Sequence, residues 1–129
     1  MKHILKIYHL YPDAMNLYGD LGNILSLQRR CQWRGIEVEV KNIFIGDKCD
    51  FSDADIVFLG GRRNIKKKII SQDLISRGGE IRKAVEKGLV ALTICGGFQL
   101  FGKYFKTKEG DEIPGIGIFD AYTVGGDIR

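Results

Sequence analysis

The fold is decided by Ala91-Leu92-Thr93-Ile94-Cys95-Gly96-Gly97-Phe98-Gln99-Leu100-Phe101-Gly102. An apolar run stops at a thiol, two glycines follow at once, and a second apolar run of helical character begins. A short apolar run bounded by glycine suits a strand buried in a parallel sheet. Gly96 and Gly97 give room for a tight strand-to-helix turn. In open parallel sheets, ligands bind beyond the C-terminal ends of the strands. Cys95 is placed at such an end, where the start of a helix favours a thiolate. The Gly96 N–H faces the space in which an attacked carbonyl develops negative charge, as at the nucleophile elbow of serine hydrolases. Cys95 is therefore the candidate nucleophile.

The same grammar extends outward from this corner. Asp55-Ile56-Val57-Phe58-Leu59 is a second buried strand, ended by Gly60-Gly61. That pair reads either as a plain turn or as a second source of backbone N–H donors beside Cys95. Ile4 to Tyr8 reads as a first strand, and Ile36 to Val40 alternates as a strand with one wetter face. Asn16 to Arg34 has helical spacing and stops at Gly35. A further helix is expected over Gly79 to Glu86, ended by Gly88. Thr107 to Glu112 reads as a hairpin loop, followed by short strand-like pieces punctuated by glycine. Strands alternating with helices predict an α/β fold with a mostly parallel sheet covered on both faces.

The 129 residues suffice for one modest domain, and 44% hydrophobic with 28% charged residues is ordinary for a globular protein. A net charge of +4 does not by itself argue for nucleic acid. Part of the excess lies in Arg62, Arg63, Lys66, Lys67 and Lys68, which read as a solvated loop or helix face. No apolar run approaches the roughly 20 residues of a membrane span, and the first residues do not resemble a signal peptide. Cys31, Cys49 and Cys95 have no metal-ligand spacing, so no metal is expected and a reducing cytoplasm is the simplest setting. Cys31 and Cys49 read as small core residues, and His3 and His9 as structural or exposed. The chemistry of the corner also allows, as a weaker reading, a different cysteine-elbow hydrolase or a thiol stress protein on a similar α/β scaffold.

Wider stretches carry a family resemblance. T-I-C-G-G-F-Q-L-F-G resembles the nucleophile segment of class I glutamine amidotransferases, nearest to their cobyric acid synthase-like branch. Ile7 to Asp13, Asn16 to Ile24, Asp55 to Gly61, Gly115 to Asp120 and Tyr122-Thr123 extend it along the chain. Within that branch they resemble glutaminase subunits serving cell-wall (peptidoglycan) synthesis and cell shape. The implied fold is class I glutamine amidotransferase-like, of flavodoxin type. The resemblance implies that Cys95 attacks the glutamine side-chain amide, that Gly96 and Gly61 contribute the oxyanion hole, and that Arg129 binds the substrate carboxylate. It implies no cofactor in this chain. Ammonia would pass to a Mur ligase-like partner in a heterodimer, and that partner would use ATP to amidate D-glutamate in the lipid II stem peptide.

The family's catalytic histidine is expected beyond residue 129. Residues 1–129 would then be the N-terminal part of a single, truncated domain, with little activity alone. The glycine loop also departs from the family, which usually has a third glycine and a polar, acidic stretch where this chain has Arg62-Arg63-Asn64. These departures support an alternative: a catalytically dead remnant that binds the ligase without making ammonia.

Overall fold

The computed structural model describes residues 3–15, 21–61 and 64–127. Its main sheet contains β1 (Ile4–Leu10), β2 (Glu37–Ile43), β3 (Ile56–Leu59) and β4 (Val90–Thr93), ordered β2-β1-β3-β4. All three pairings are parallel. The helices are α1 (Leu21–Gln32), α2 (Asn64–Glu86) and α3 (Gly96–Phe101). A smaller sheet, ordered β6-β5-β7, holds β5 (Tyr104–Lys106), β6 (Glu112–Pro114) and β7 (Thr123–Val124). β5 and β6 form the antiparallel hairpin anticipated around Thr107 to Glu112, and β7 joins β5 in parallel.

Alternation along the strands divides the core between the two sheet faces. Ile7 and Phe58 point to one face, where Ile24 of α1 covers them. Tyr8, Leu10, Val57 and Leu59 point to the other, where Ile70, Leu74 and Ile81 of α2 pack. Pairing keeps residues of like orientation side by side, with Ile7 opposite Ile56 and Tyr8 opposite Val57. The expected α/β fold, with a mostly parallel sheet and helices on both faces, is the one found.

Two expectations need correction. α2 does not start at Gly79 but runs unbroken from Asn64 to Glu86. Two adjacent glycines weaken a helix by about 1 kcal/mol each relative to alanine, but here the packed stripe of Ile70, Leu74 and Ile81 carries α2 through them. Nor is the basic cluster uniformly solvated, because Lys67 is only 3% exposed. Arg62 and Arg63 lie outside the described residues, as do residues 16–20 of the first expected helix. α1 meets the sheet through Ile24 and Leu27, while Leu25 stays 57% exposed. Cys31 is half-buried on α1 and lies outside the two core clusters; Cys49 packs against the larger one.

Candidate active site

β3 and β4 are direct neighbours, so the turns that follow them meet. The Ile94 N–H donates to the Leu59 carbonyl at 3.0 Å and ties the two strand ends together. One residue later the chain folds sharply. The Gly97 N–H donates back to the Ile94 carbonyl at 2.9 Å, with Cys95 and Gly96 between them. Cys95 takes φ 51° and ψ −108°. Those angles match the first central position of a type II′ turn, which glycine normally fills. A side chain held there costs roughly 1–3 kcal/mol and persists only where its surroundings enforce it.

Glycine does the enforcing. A methyl group on Gly97 would lie 2.2 Å from the Leu59 carbonyl oxygen, so only glycine lets α3 begin this close to the end of β3. A methyl group on Gly61 would lie 3.1 Å from Cys95 Cβ and 3.6 Å from the Gly96 nitrogen. The Gly60-Gly61 turn thus lies directly against the thiol-bearing corner. With the Gly97 N–H engaged at Ile94, the Gly96 N–H at the first position of α3 is a candidate donor for an incoming carbonyl oxygen. The Cys95 side chain makes no capping hydrogen bond and is exposed.

Cys95, Gly96 and Gly61 therefore come together, while Arg129 lies outside the described residues. Neither histidine is at the corner. His3 is exposed at the N-terminal end of β1, 4.0 Å from Asp55. His9 is fully buried, edge-on to Phe58 with ring centroids 5.1 Å apart. Among the described residues no cluster of His, Cys, Asp or Glu could hold a metal ion, and no helix is long and apolar enough to cross a membrane. A cavity of about 670 Å³ opens elsewhere, between the loop after β2 and α2, lined by Cys49, Asp73, Arg77 and Glu80 among others.

One neighbour of the corner escaped the sequence reading. The Lys67 Nζ donates to Gln99 Oε1 and lies 4.5 Å from the centroid of the Phe105 ring. Burial pushes this ammonium below the ordinary lysine range, and the charge of Cys95 opposes that shift. The signal was present in the spacing. Lys67 belongs to the buried series 67, 70, 74, 77, 81, 84 along α2, the helical stripe that faces the core.

Residues 6–129 match the model of the CobB/CobQ-like glutamine amidotransferase domain. The chain is 40% identical over 121 residues to the lipid II isoglutaminyl synthase (glutamine-hydrolyzing) subunit GatD of Staphylococcus aureus (strain N315), covering 94% of this chain and 50% of that protein. It is 39% identical over 120 residues to the subunit of the same name from Streptococcus pneumoniae (strain ATCC BAA-255 / R6), covering 93% and 46%. A probable cobyric acid synthase of Methanopyrus kandleri is 33% identical over 98 residues, covering 69% of this chain and 19% of that one. The chain thus spans about half the length of the two GatD relatives. The match takes in β1 from Lys6 onward, the glycine turn after β3 and the Cys95 corner alike, and the chain belongs to the CobB/CobQ-like glutamine amidotransferase domain family.

Proposed function

We propose that this chain is the glutaminase part of a lipid II isoglutaminyl synthase, with Cys95 as its nucleophile. The observation that carries the reading is the strained Cys95 backbone, held by Gly97 and Gly61 so that the thiol faces solvent beside backbone donors. Strain of this kind concentrates at functional sites.

The Cys95 thiolate adds to the side-chain amide carbon of glutamine. Negative charge moves to the amide oxygen, and the N–H groups of Gly96 and the Gly61 turn are the assigned donors. The amide nitrogen takes a proton from solvent, the C–N bond breaks, ammonia leaves, and a glutamyl thioester remains on Cys95. Water adds to the thioester, glutamate departs and the thiolate is restored. His9, sealed beside Phe58, and His3, at the far end of the sheet, are not placed to supply the proton. Arg129 is assigned to the carboxylate of glutamine, for which a guanidinium offers a two-pronged match. The ammonia goes to a Mur ligase-like partner in a heterodimer, which consumes ATP to amidate the D-glutamate α-carboxyl of the lipid II stem peptide. Three free cysteines suit a reducing cytoplasm.

The test is glutamate release by the chain with its ligase partner, for the unaltered protein and for Cys95→Ala. The expected result is hydrolysis that the substitution abolishes. A variant that keeps its rate contradicts the reading. Stable binding to the ligase with no hydrolysis by the unaltered chain would support the dead remnant instead.

A further inference from the structure

The nucleophile reading gives no reason for the burial of Lys67. Taking an ammonium out of water is costly unless something compensates it. Here three elements converge on one. α2 carries Lys67 on its buried stripe, α3 offers the Gln99 carbonyl oxygen as acceptor, and β5 offers the face of Phe105. Gln99 is also bound to the nucleophile's own backbone, because its N–H donates to the Cys95 carbonyl at 3.1 Å. A chain of direct contacts therefore runs from the Lys67 ammonium through Gln99 to Cys95. The Gly61 turn, which lies against Cys95, is six residues before Lys67 in the chain.

We propose that Lys67 is a positioning residue for the Cys95 chemistry: its buried ammonium fixes Gln99 and the first turn of α3, and it holds a positive charge one side chain away from the nucleophile. That charge stabilises the negative charge shared between the sulfur and the attacked carbonyl oxygen. The role rests on Cys95 being the nucleophile. The charge itself can be measured without any glutaminase activity.

The measurement compares alkylation of Cys95 by two reagents that differ in charge: iodoacetate, an anion, and iodoacetamide, which is neutral. Both react with the thiolate, so the ratio of their rates at one pH cancels the thiolate fraction and reports the local potential. Peptide mass spectrometry separates Cys95 from Cys31 and Cys49. In the unaltered chain the iodoacetate-to-iodoacetamide ratio is expected to exceed that of a short peptide containing the same cysteine by about threefold or more. Lys67→Met should bring the ratio down to the peptide's value, and Lys67→Arg should retain it. A purely structural lysine would not move this ratio. A peptide-like ratio in the unaltered chain overturns the proposal, and that comparison holds even if Lys67→Met fails to fold. A raised ratio without glutamine hydrolysis would uphold the charge and fault the assigned reaction. A peptide-like ratio in a chain that hydrolyses glutamine would fault Lys67 alone.

Discussion

Two residues other than glycine hold positive φ among those described, Tyr11 at 52° and Cys95 at 51°. Both follow the C-terminal ends of parallel strands, β1 and β4. Tyr11 is fully buried and its hydroxyl donates to Asp73. The same carboxylate accepts from the Gly46 N–H and from Arg77 Nε, each at 2.9 Å, and Arg77 donates on to the Phe44 carbonyl at 3.1 Å. Strain at Tyr11 is thus offset by a network that ties the turns after β1 and β2 to α2. Cys95 has no such tether and points its side chain into solvent. A positive φ closes the fold where the side chain is buried and bonded, and presents a reactive group where it is exposed.

The largest way to break this comparison is Cys95→Ala. Glutamine hydrolysis with the proposed ligase partner should fall by about a thousandfold or more, with circular dichroism unchanged. Next comes the scaffold that forces the strain. Gly97→Ala places a methyl 2.2 Å from a carbonyl oxygen, and denaturant unfolding should show a loss of about 3 kcal/mol or more.

On the structural side, Asp73→Asn should cost about 2–3 kcal/mol at neutral pH by weakening a mostly buried pair. Burial opposes ionisation of Asp73, but hydrogen bonds from Tyr11, Gly46 and Arg77 outweigh it and hold the carboxyl below its usual range. A carboxyl whose folded value is depressed adds stability above its unfolded value, near 3.9, and loses it as pH falls through the folded one. Unfolding curves of the two proteins should therefore separate at neutral pH and converge as pH drops below about 4.

The smallest effect has the opposite sign. Cys95→Gly relieves the positive φ and should stabilise the chain by about 0.5–1 kcal/mol while leaving it inactive, as thermal unfolding and a hydrolysis assay would show. The same substitution at Tyr11 should destabilise, because it deletes a buried ring and the Asp73 contact.

How much of this was legible depended on whether local pattern or distant packing decided each element. The alternation of Ile36 to Val40 and the apolar runs ending at Leu59 and Ile94 announced parallel strands, since strand burial imprints itself on neighbouring residues. The Cys95 corner was legible because a thiol followed by two glycines has few purely structural uses. The full span of α2 was not, because Gly78-Gly79 looks like a helix boundary. A methyl on Gly78 would lie 3.3 Å from Ile116 Cγ2, so glycine there permits close packing that no local pattern announces. Lys67 was hidden by its basic neighbours, although its place in the 67, 70, 74 series marked it as inward-facing. The strand order and the parallel pairing of Phe105 with Thr123 depend on contacts distant in sequence and left no local trace.

The most direct test of the central claim is to trap the covalent intermediate. The chain and the proposed ligase partner would be mixed with glutamine, quenched in acid during turnover and digested for mass spectrometry. A glutamyl adduct on the peptide bearing Cys95, absent from those bearing Cys31 and Cys49, is the predicted result. Continued glutamine hydrolysis with no adduct on Cys95, or with one on another residue, would contradict it.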